Sequence, residues 1–251
     1  MPFDKRTIFS GVLIAGLTGP FLLVPAVSFV GSMLTPSHPA PAAVHAPPLL
    51  ADAIWARANG GRATQLQPIN PFTVGRTVSC LILAERLDSS PERDARQEEC
   101  MTLLPAVQAI GYLTAEHMKS DGVWQDPRVP FVQIAHMTKV TSTWSRPQLV
   151  DTLAERAEFG AGFRGAEQAA RGFFNRRTAE LTLPQAALLA AVIGERRADP
   201  WCTPEHAARV RRRVLQRMRD NLAIDDPALE AADRSDLGLA ARPADREPCP
   251  D

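Results

Sequence analysis

From Thr7 to Leu34 the chain carries no charged residue. A run of this length spans the hydrocarbon core of a bilayer as a helix, even with Gly16, Pro20 and Pro25 inside it. A cleaved signal peptide has a shorter apolar core of about 7–15 residues, so the run predicts an uncleaved anchor. Lys5 and Arg6 precede it, and the next Lys or Arg is Arg57. That asymmetry keeps the N-terminal end in the cytoplasm and sends the rest of the chain outside.

Export makes the cysteines legible. Cys80, Cys100, Cys202 and Cys249 are an even set in an oxidising compartment, where disulfides form and persist. Four cysteines allow three pairings; proximity along the chain favours Cys80–Cys100 with Cys202–Cys249. No CxxC occurs, and the five histidines (His38, His45, His117, His136, His206) are scattered, so no metal site is expected. Lys plus Arg and Asp plus Glu both number 28, which leaves no net field to attract nucleic acid. Alanine is abundant and there is a single Tyr, so strand-forming residues are scarce and a mainly helical fold is expected.

Residues 160–165 spell G-x-G-x-x-G. A dinucleotide-binding loop needs a buried strand immediately before its first glycine. Here Leu149, Val150, Leu153, Ala154 and Ala157 recur at three- and four-residue spacing, which is one face of a helix. Ser145 and Gln148 stand three apart as a capping box, with Pro147 in the first turn. A helix therefore runs into Gly160, and the dinucleotide reading fails on context. Gly160 suits a left-handed C-cap, and Gly162 and Gly165 permit a tight turn into a second helix bearing Ala166, Ala169, Ala170, Phe173 and Phe174.

Punctuation divides the chain into four segments: a cytoplasmic stub and anchor at 1–36, a Pro/Ala-rich linker and short helix at 37–72, a helical domain at 73–222, and a tail at 223–251. The short helix ends at Gly60 and Gly61, and its Trp55 packs on the domain or the bilayer interface. Within the domain, helices are predicted at 130–143, 146–158, 165–175, 183–194 and 204–221. One further helical segment is built on Val78, Leu81, Ile82 and Leu87, and another, residues 102–118, is broken near Pro105. Residues 89–101 are polar. Thr182 and Gln185 repeat the capping box, and Thr203-Pro204 opens the last long helix. Its basic residues Arg209, Arg211, Arg212, Arg213 and Arg217 form either a solvated face or a surface for an anionic headgroup or pyrophosphate. The tail beyond Asp225 is expected to be poorly ordered unless Cys249 pins it.

Residues 145–218 carry an ordered series of signals. These are Ser145-Arg146, Leu149-Val150-Asp151, Phe159-Gly160, Gly162, Gly165, Ala169-Ala170 and Phe173-Phe174-Asn175-Arg176. Glu180-Leu181-Thr182-Leu183, Gln185, Ala187, Leu189-Ala190, Pro200, Arg211, Val214-Leu215 and Met218 complete the series. The order resembles the C-terminal half of the family-51 glycosyltransferases, the peptidoglycan transglycosylase domain of penicillin-binding proteins and monofunctional transglycosylases. The resemblance implies a lysozyme-like helical transglycosylase-type domain, truncated or divergent, behind one N-terminal transmembrane helix. It also implies a station in the bacterial inner membrane, single-pass, with the C-terminal domain in the periplasm.

The family's chemistry lies mostly in the other half. Glu85 aligns with the glutamate that serves the family as general base on the acceptor hydroxyl, a step that a carboxylate performs by taking the proton as that hydroxyl attacks. Around it, Arg86, Ser89 and Glu92 replace the family's aspartate, phenylalanine and histidine. The Ser-Thr-x-x-Gln-Gln run is absent from 86–132. Gln133 occupies the place of the second family glutamate, with Lys139, His136 and Arg156 near it in sequence. Leu153 and Glu155 stand where the family has tyrosine and asparagine. Arg156, Arg176 and Arg211 are candidate contacts to an anionic ligand.

The resemblance then implies a membrane-anchored periplasmic transglycosylase-like protein of peptidoglycan biogenesis. It would act on or bind lipid II or glycan strands, with catalysis weak or lost. The alternatives are an active lipid II polymerase using Glu85 as base and a non-enzymatic envelope scaffold. Its partners would be lipid-linked glycan or peptidoglycan, the membrane and other cell-wall synthesis proteins, and not nucleic acid. No cofactor is indicated, although a divalent cation accompanies the family chemistry where that is retained. An alkaline-phosphatase fusion placed after residue 60 should be active. An inactive fusion, or a mature N-terminus mapped downstream of residue 34, would refute the anchor.

Overall fold

The computed structural model describes residues 25–63, 65–86, 90–101, 106–195, 198–243 and 249. Their secondary structure is helical, with no strand among the described residues and one isolated bridge between Glu158 and Arg164. Residues 25–34 form α1. The remaining helices are α2 (Pro48–Arg57), α3 (Pro71–Ala84), α4 (Ser90–Met101), α5 (Val107–Ser120) and α6 (Val129–Thr143), then α7 (Arg146–Arg156), α8 (Ala166–Phe174), α9 (Leu183–Val192), α10 (Pro204–Asp220) and α11 (Asp226–Arg234). This mainly helical architecture is consistent with a lysozyme-like domain. Two compact units are present, one formed by Met1–Pro39 with Gln65–Trp144 and the other by Ala40–Thr64 with Ser145–Asp251.

The second unit is built around α9. Its sequence LPQAALLAAV has no polar face, and every residue from Pro184 to Val192 is buried. A helix that is apolar all round needs partners on several sides. Helix α10 covers one side with Ala207, Val214, Leu215 and Met218. Helix α2 covers another and also packs on α7 and α10. This is the short helix expected after the Pro/Ala-rich stretch, and its Leu50, Ala53, Ile54, Trp55 and Ala56 are all buried. Trp55 is 1% exposed, donates its indole N–H to the Gly61 carbonyl at 3.0 Å, and is capped by the Arg146 guanidinium 5.0 Å from its ring.

Local signals produced the helix ends. Ser145 Oγ accepts from Gln148 N, and Gln148 Oε1 accepts from Ser145 N at 2.8 Å, closing the box before α7. Gln185 Oε1 accepts from Thr182 N at 3.0 Å at the start of α9. The tail is fastened more fully than its composition suggests. Asp225 caps α11 by accepting from Ala228 N. Gln185 Nε2 donates to Leu237 O, Ala240 N donates to Phe173 O, and Trp201 Nε1 donates to Ala240 O. Cys249 is bonded to Cys202.

The first unit pairs α3 with α4 and α5 with α6. A disulfide between Cys80 and Cys100 joins the first pair. Met118, Val123 and Val132 form a small core between α5 and α6, with Leu34, Ala115 and Val129 against it. Helix α4 formed from the stretch that reads as merely polar. The segment 7–24 of the expected membrane run lies outside the described residues. Among the described residues no helix is long and apolar enough to cross a membrane. Residues 25–34 instead lie on α6. Ser28 Oγ is 3.1 Å from Thr138 Oγ1, and a side chain at Gly31 would meet the Phe131 carbonyl at 2.1 Å.

If α2 is a core element, Trp55→Ala should destabilise the second unit by about 3–5 kcal/mol in urea unfolding of the full chain. Unchanged stability would return Trp55 to a surface or bilayer role.

Candidate functional site

The corner between α7 and α8 positions the best-formed site of the second unit. Helix α7 ends at Arg156, and Ala157 leaves it in an extended conformation. Gly160, Gly162 and Gly165 then take φ values of 75°, 72° and 79°, in the left-handed region that glycine enters without a Cβ penalty. Phe159 N donates to Phe163 O, Phe163 N to Gly160 O, and Gly165 N back to Ala157 O at 2.9 Å. Gly165 has a second requirement, because a Cβ there would stand 2.7 Å from the Glu155 carbonyl oxygen. Helix α8 ends with Asn175 at φ 52° and ψ 39°, left-handed again. Asparagine is among the few non-glycine residues that tolerate this conformation.

Beside this corner lies a cleft of about 520 Å³, a size that takes a small ligand. Val44, Pro47, Leu50, Ala154 and Ala166 supply its apolar lining, and His45, Asp151, Glu155, Arg164, Glu167 and Arg171 supply charge. Asp151 is 5% exposed, a buried carboxylate that must be satisfied. Its Oδ1 accepts from Ala46 N at 2.9 Å and its Oδ2 lies 2.6 Å from His45 Nδ1. Nδ1 therefore carries a hydrogen and donates it to this carboxylate, while the ring itself is exposed. Glu167 accepts from Thr178 N and Oγ1 with one oxygen and from Arg171 Nε with the other. The Thr178 amide above all, with help from Arg171 and the Thr178 hydroxyl, holds its carboxyl below the usual carboxylate range.

The residues singled out by sequence are dispersed. Glu85 is exposed at the C-cap of α3, its Oε1 accepting from Gln97 Nε2 at 2.6 Å. Gln133 is half-buried on α6, a helix without a single carboxylate. Both belong to the first unit, whereas the cleft belongs to the second. Arg156 is exposed and donates to Ala40 O at 3.0 Å. Arg176 is exposed in the turn after α8. Arg211 departs from the basic face on which sequence placed it. It is 6% exposed and donates to the Asp233 carbonyl at 2.8 Å, which ties α11 to α10. Among the described residues no group of His, Cys, Asp and Glu is arranged to hold a metal ion. The His45–Asp151 pair was not legible beforehand, because 106 positions separate its members and the local pattern around Asp151 does not point to His45.

Residues 125–219, from the turn before α6 to the end of α10, match the family described as Transglycosylase. A biosynthetic peptidoglycan transglycosylase of Rhodospirillum centenum is 38% identical over 96 residues, covering 36% of this chain and 42% of the relative. One of Salmonella arizonae is 41% identical over 54 residues, 22% of either chain. Penicillin-binding protein 1A of Aquifex aeolicus is 32% identical over 95 residues, 38% of this chain and 13% of the relative. The chain thus spans less than half the length of these curated relatives.

Gly165→Val should lower the melting temperature in the absence of any ligand, since the positive φ alone costs about 1–3 kcal/mol for a β-branched residue. An unchanged melting temperature with impaired ligand binding would make the corner a ligand cradle instead.

Proposed function

From the premise that residues 125–219 are a transglycosylase-family segment, we propose that this protein works in peptidoglycan biogenesis as a glycan-binding relative with catalysis weak or lost. The observation that carries the proposal is the composition of that segment. It includes the glycine corner and much of the cleft wall, and in the resemblance Gln133 takes the place of the second family glutamate. Glutamine keeps the hydrogen-bonding shape and loses the charge.

A glycan polymerase needs a positioned base and preorganised donors on the leaving pyrophosphate. Glu85, the candidate base, sits exposed at a helix end with Gln97 on its carboxylate, in the company of Arg86 and without the family's histidine. This supports binding over turnover. In this reading the N-terminal run holds the protein at the bacterial inner membrane with its domain in the periplasm. The ligand is lipid II or a glycan strand, and other cell-wall synthesis proteins are its partners. The cleft suits the ligand class: Arg164 and Arg171 complement phosphate or carboxylate, and the apolar lining accepts a sugar face. Arg156 and Arg176 are further candidate contacts for the anionic part.

The test is a lipid II assay on the detergent-solubilised full-length protein. We expect measurable lipid II binding, weakened at least several-fold by Arg164→Ala with Arg171→Ala, and little or no glycan chain formation. Loss of a general base typically costs a factor of about 10²–10⁴. Robust chains that Glu85→Gln abolishes would establish the active-enzyme reading in place of this one. Neither binding nor product would favour the scaffold.

A further inference from the structure

Three of the five histidines, scattered in sequence, converge in the first unit. His38 and His117 stand edge-on to His136, with ring centroids 5.4 and 5.2 Å away. His117 comes from α5, His136 from α6, and His38 from the strap of residues 35–38 that follows α1. We infer that these imidazoles and Asp121 form an acid-released clasp that holds the strap on α5 and α6 at neutral pH and lets it go as the pH falls. The inference stands independently of the transglycosylase reading.

The hydrogen bonds fix where the protons are. His136 Nε2 lies 2.9 Å from Ser37 O and 2.7 Å from Thr35 Oγ1. A carbonyl only accepts, so Nε2 carries the hydrogen and Nδ1 is left as an acceptor. Nδ1 is buried without a hydrogen-bond partner, on a residue 1% exposed. On the other side of the strap, Ser37 Oγ donates to Asp121 Oδ2 at 2.5 Å. With its one hydrogen so used, that hydroxyl accepts from His117 Nε2 at 2.9 Å. The strap is thus gripped from α6 by one ring and from α5 by another ring and a carboxylate.

Protonating His136 puts a second N–H at Nδ1, in a place with no acceptor and little water. The charges facing the cluster make this worse. His117 from α5 and His38 from the strap disfavour a charge on His136, Lys139 from α6 disfavours one on His38, and Asp121, 3.4 Å from His117 Nε2, opposes them among the described residues. Glu116 and Lys119 on α5 neutralise each other, and α1 has no charged residue within 25–34. Burial first, then the neighbouring imidazoles, lower His136 from the ordinary 6.5 to about 4, against the partial support of Ser37 and Asp121. Partial burial and then Lys139 and His117 push His38 down as well. A histidine held below its unfolded value stabilises its contacts fully above about 6.5. That stabilisation is lost as the pH falls toward 4 and changes no further below it. Release of the strap loosens the C-terminal end of α1, whose other described attachments include Leu34 on the Met118, Val123 and Val132 core, the Ser28–Thr138 contact and the close approach at Gly31.

The experiment uses the full chain in detergent micelles, followed by NMR from pH 7.5 to 4. We expect at least one imidazole to stay neutral well below 6.5. Between pH 7.5 and 5 the amide protection of residues 31–38, corrected for intrinsic exchange, should fall roughly 10- to 30-fold. His136→Gln keeps an N–H for Ser37 O without a titrating ring, and should flatten that dependence. Asp121→Asn keeps an acceptor for Ser37 Oγ and removes the negative charge, so protection should fall further at pH 5; this arm decides if His136→Gln does not fold. Protection that does not vary with pH would overturn the clasp. So would five histidines all titrating near 6.5, or an Asp121→Asn response identical to wild type.

Discussion

The packing of the second unit depends on a helix that cannot face water. Helix α9 is a run of alanine and leucine buried from Pro184 to Val192, so its neighbours must come from wherever the chain can supply them. One neighbour, α10, follows it directly, and its amphipathic pattern supplies the matching face. The other, α2, arrives from the far side of the first unit in sequence and brings Trp55 with it. This recruitment has a consequence for the site. Residues 42–47 are drawn along α7, where Thr152 and Asp151 accept from the amides of Ala42 and Ala46. The segment that composition marks as a spacer becomes a wall of the cleft.

The glycine corner completes that cleft from the other side. Its backbone has to turn within a few residues and pass close to the end of α7, and the Glu155 carbonyl leaves no room for a Cβ at Gly165. The same corner aims Arg164 and the first turn of α8 at the cleft, where Glu167 is already committed to Thr178 and Arg171. The aromatic rings of Phe163, Phe173 and Trp201 pack edge-on or tilted against one another beside it, with centroids 4.8–6.2 Å apart. Such a corner is rigid because packing, hydrogen bonds and backbone conformation agree. Asn175 meets the same conformational requirement at the end of α8, where the left-handed turn carries a side chain that tolerates it.

The proposed reading, a scaffold kept while its chemical groups change, is coherent physically. The matched segment carries residues whose roles are conformational, such as the caps, the glycines and the apolar faces of α7 to α10. Binding can survive on such a scaffold, because it needs shape and a few complementary charges. Proton transfer has a narrower requirement, namely a carboxylate of suitable basicity within reach of one hydroxyl. In the proposed reading, Gln133 and the exposed, hydrogen-bonded Glu85 bear on that second requirement and not on the first.

What could be read from the sequence was local. Helices α6 to α10, the box at Ser145–Gln148, the Thr182–Gln185 contact and the left-handed glycines all follow from spacing within a few residues, where short-range sterics and hydrogen bonds dominate. The family resemblance was legible for the same reason, being a series of such local signals in order. The tertiary structure decided the rest. It put α2 in a core, withdrew Arg211 from a basic face to hold α11, docked the tail on Gln185 and Phe173, and gathered His38, His117 and His136 around one strap. Each of these depends on groups tens of residues apart meeting in space. Which of them meet is settled by the burial of apolar faces, and the polar side chains then pair with whatever that burial has brought beside them.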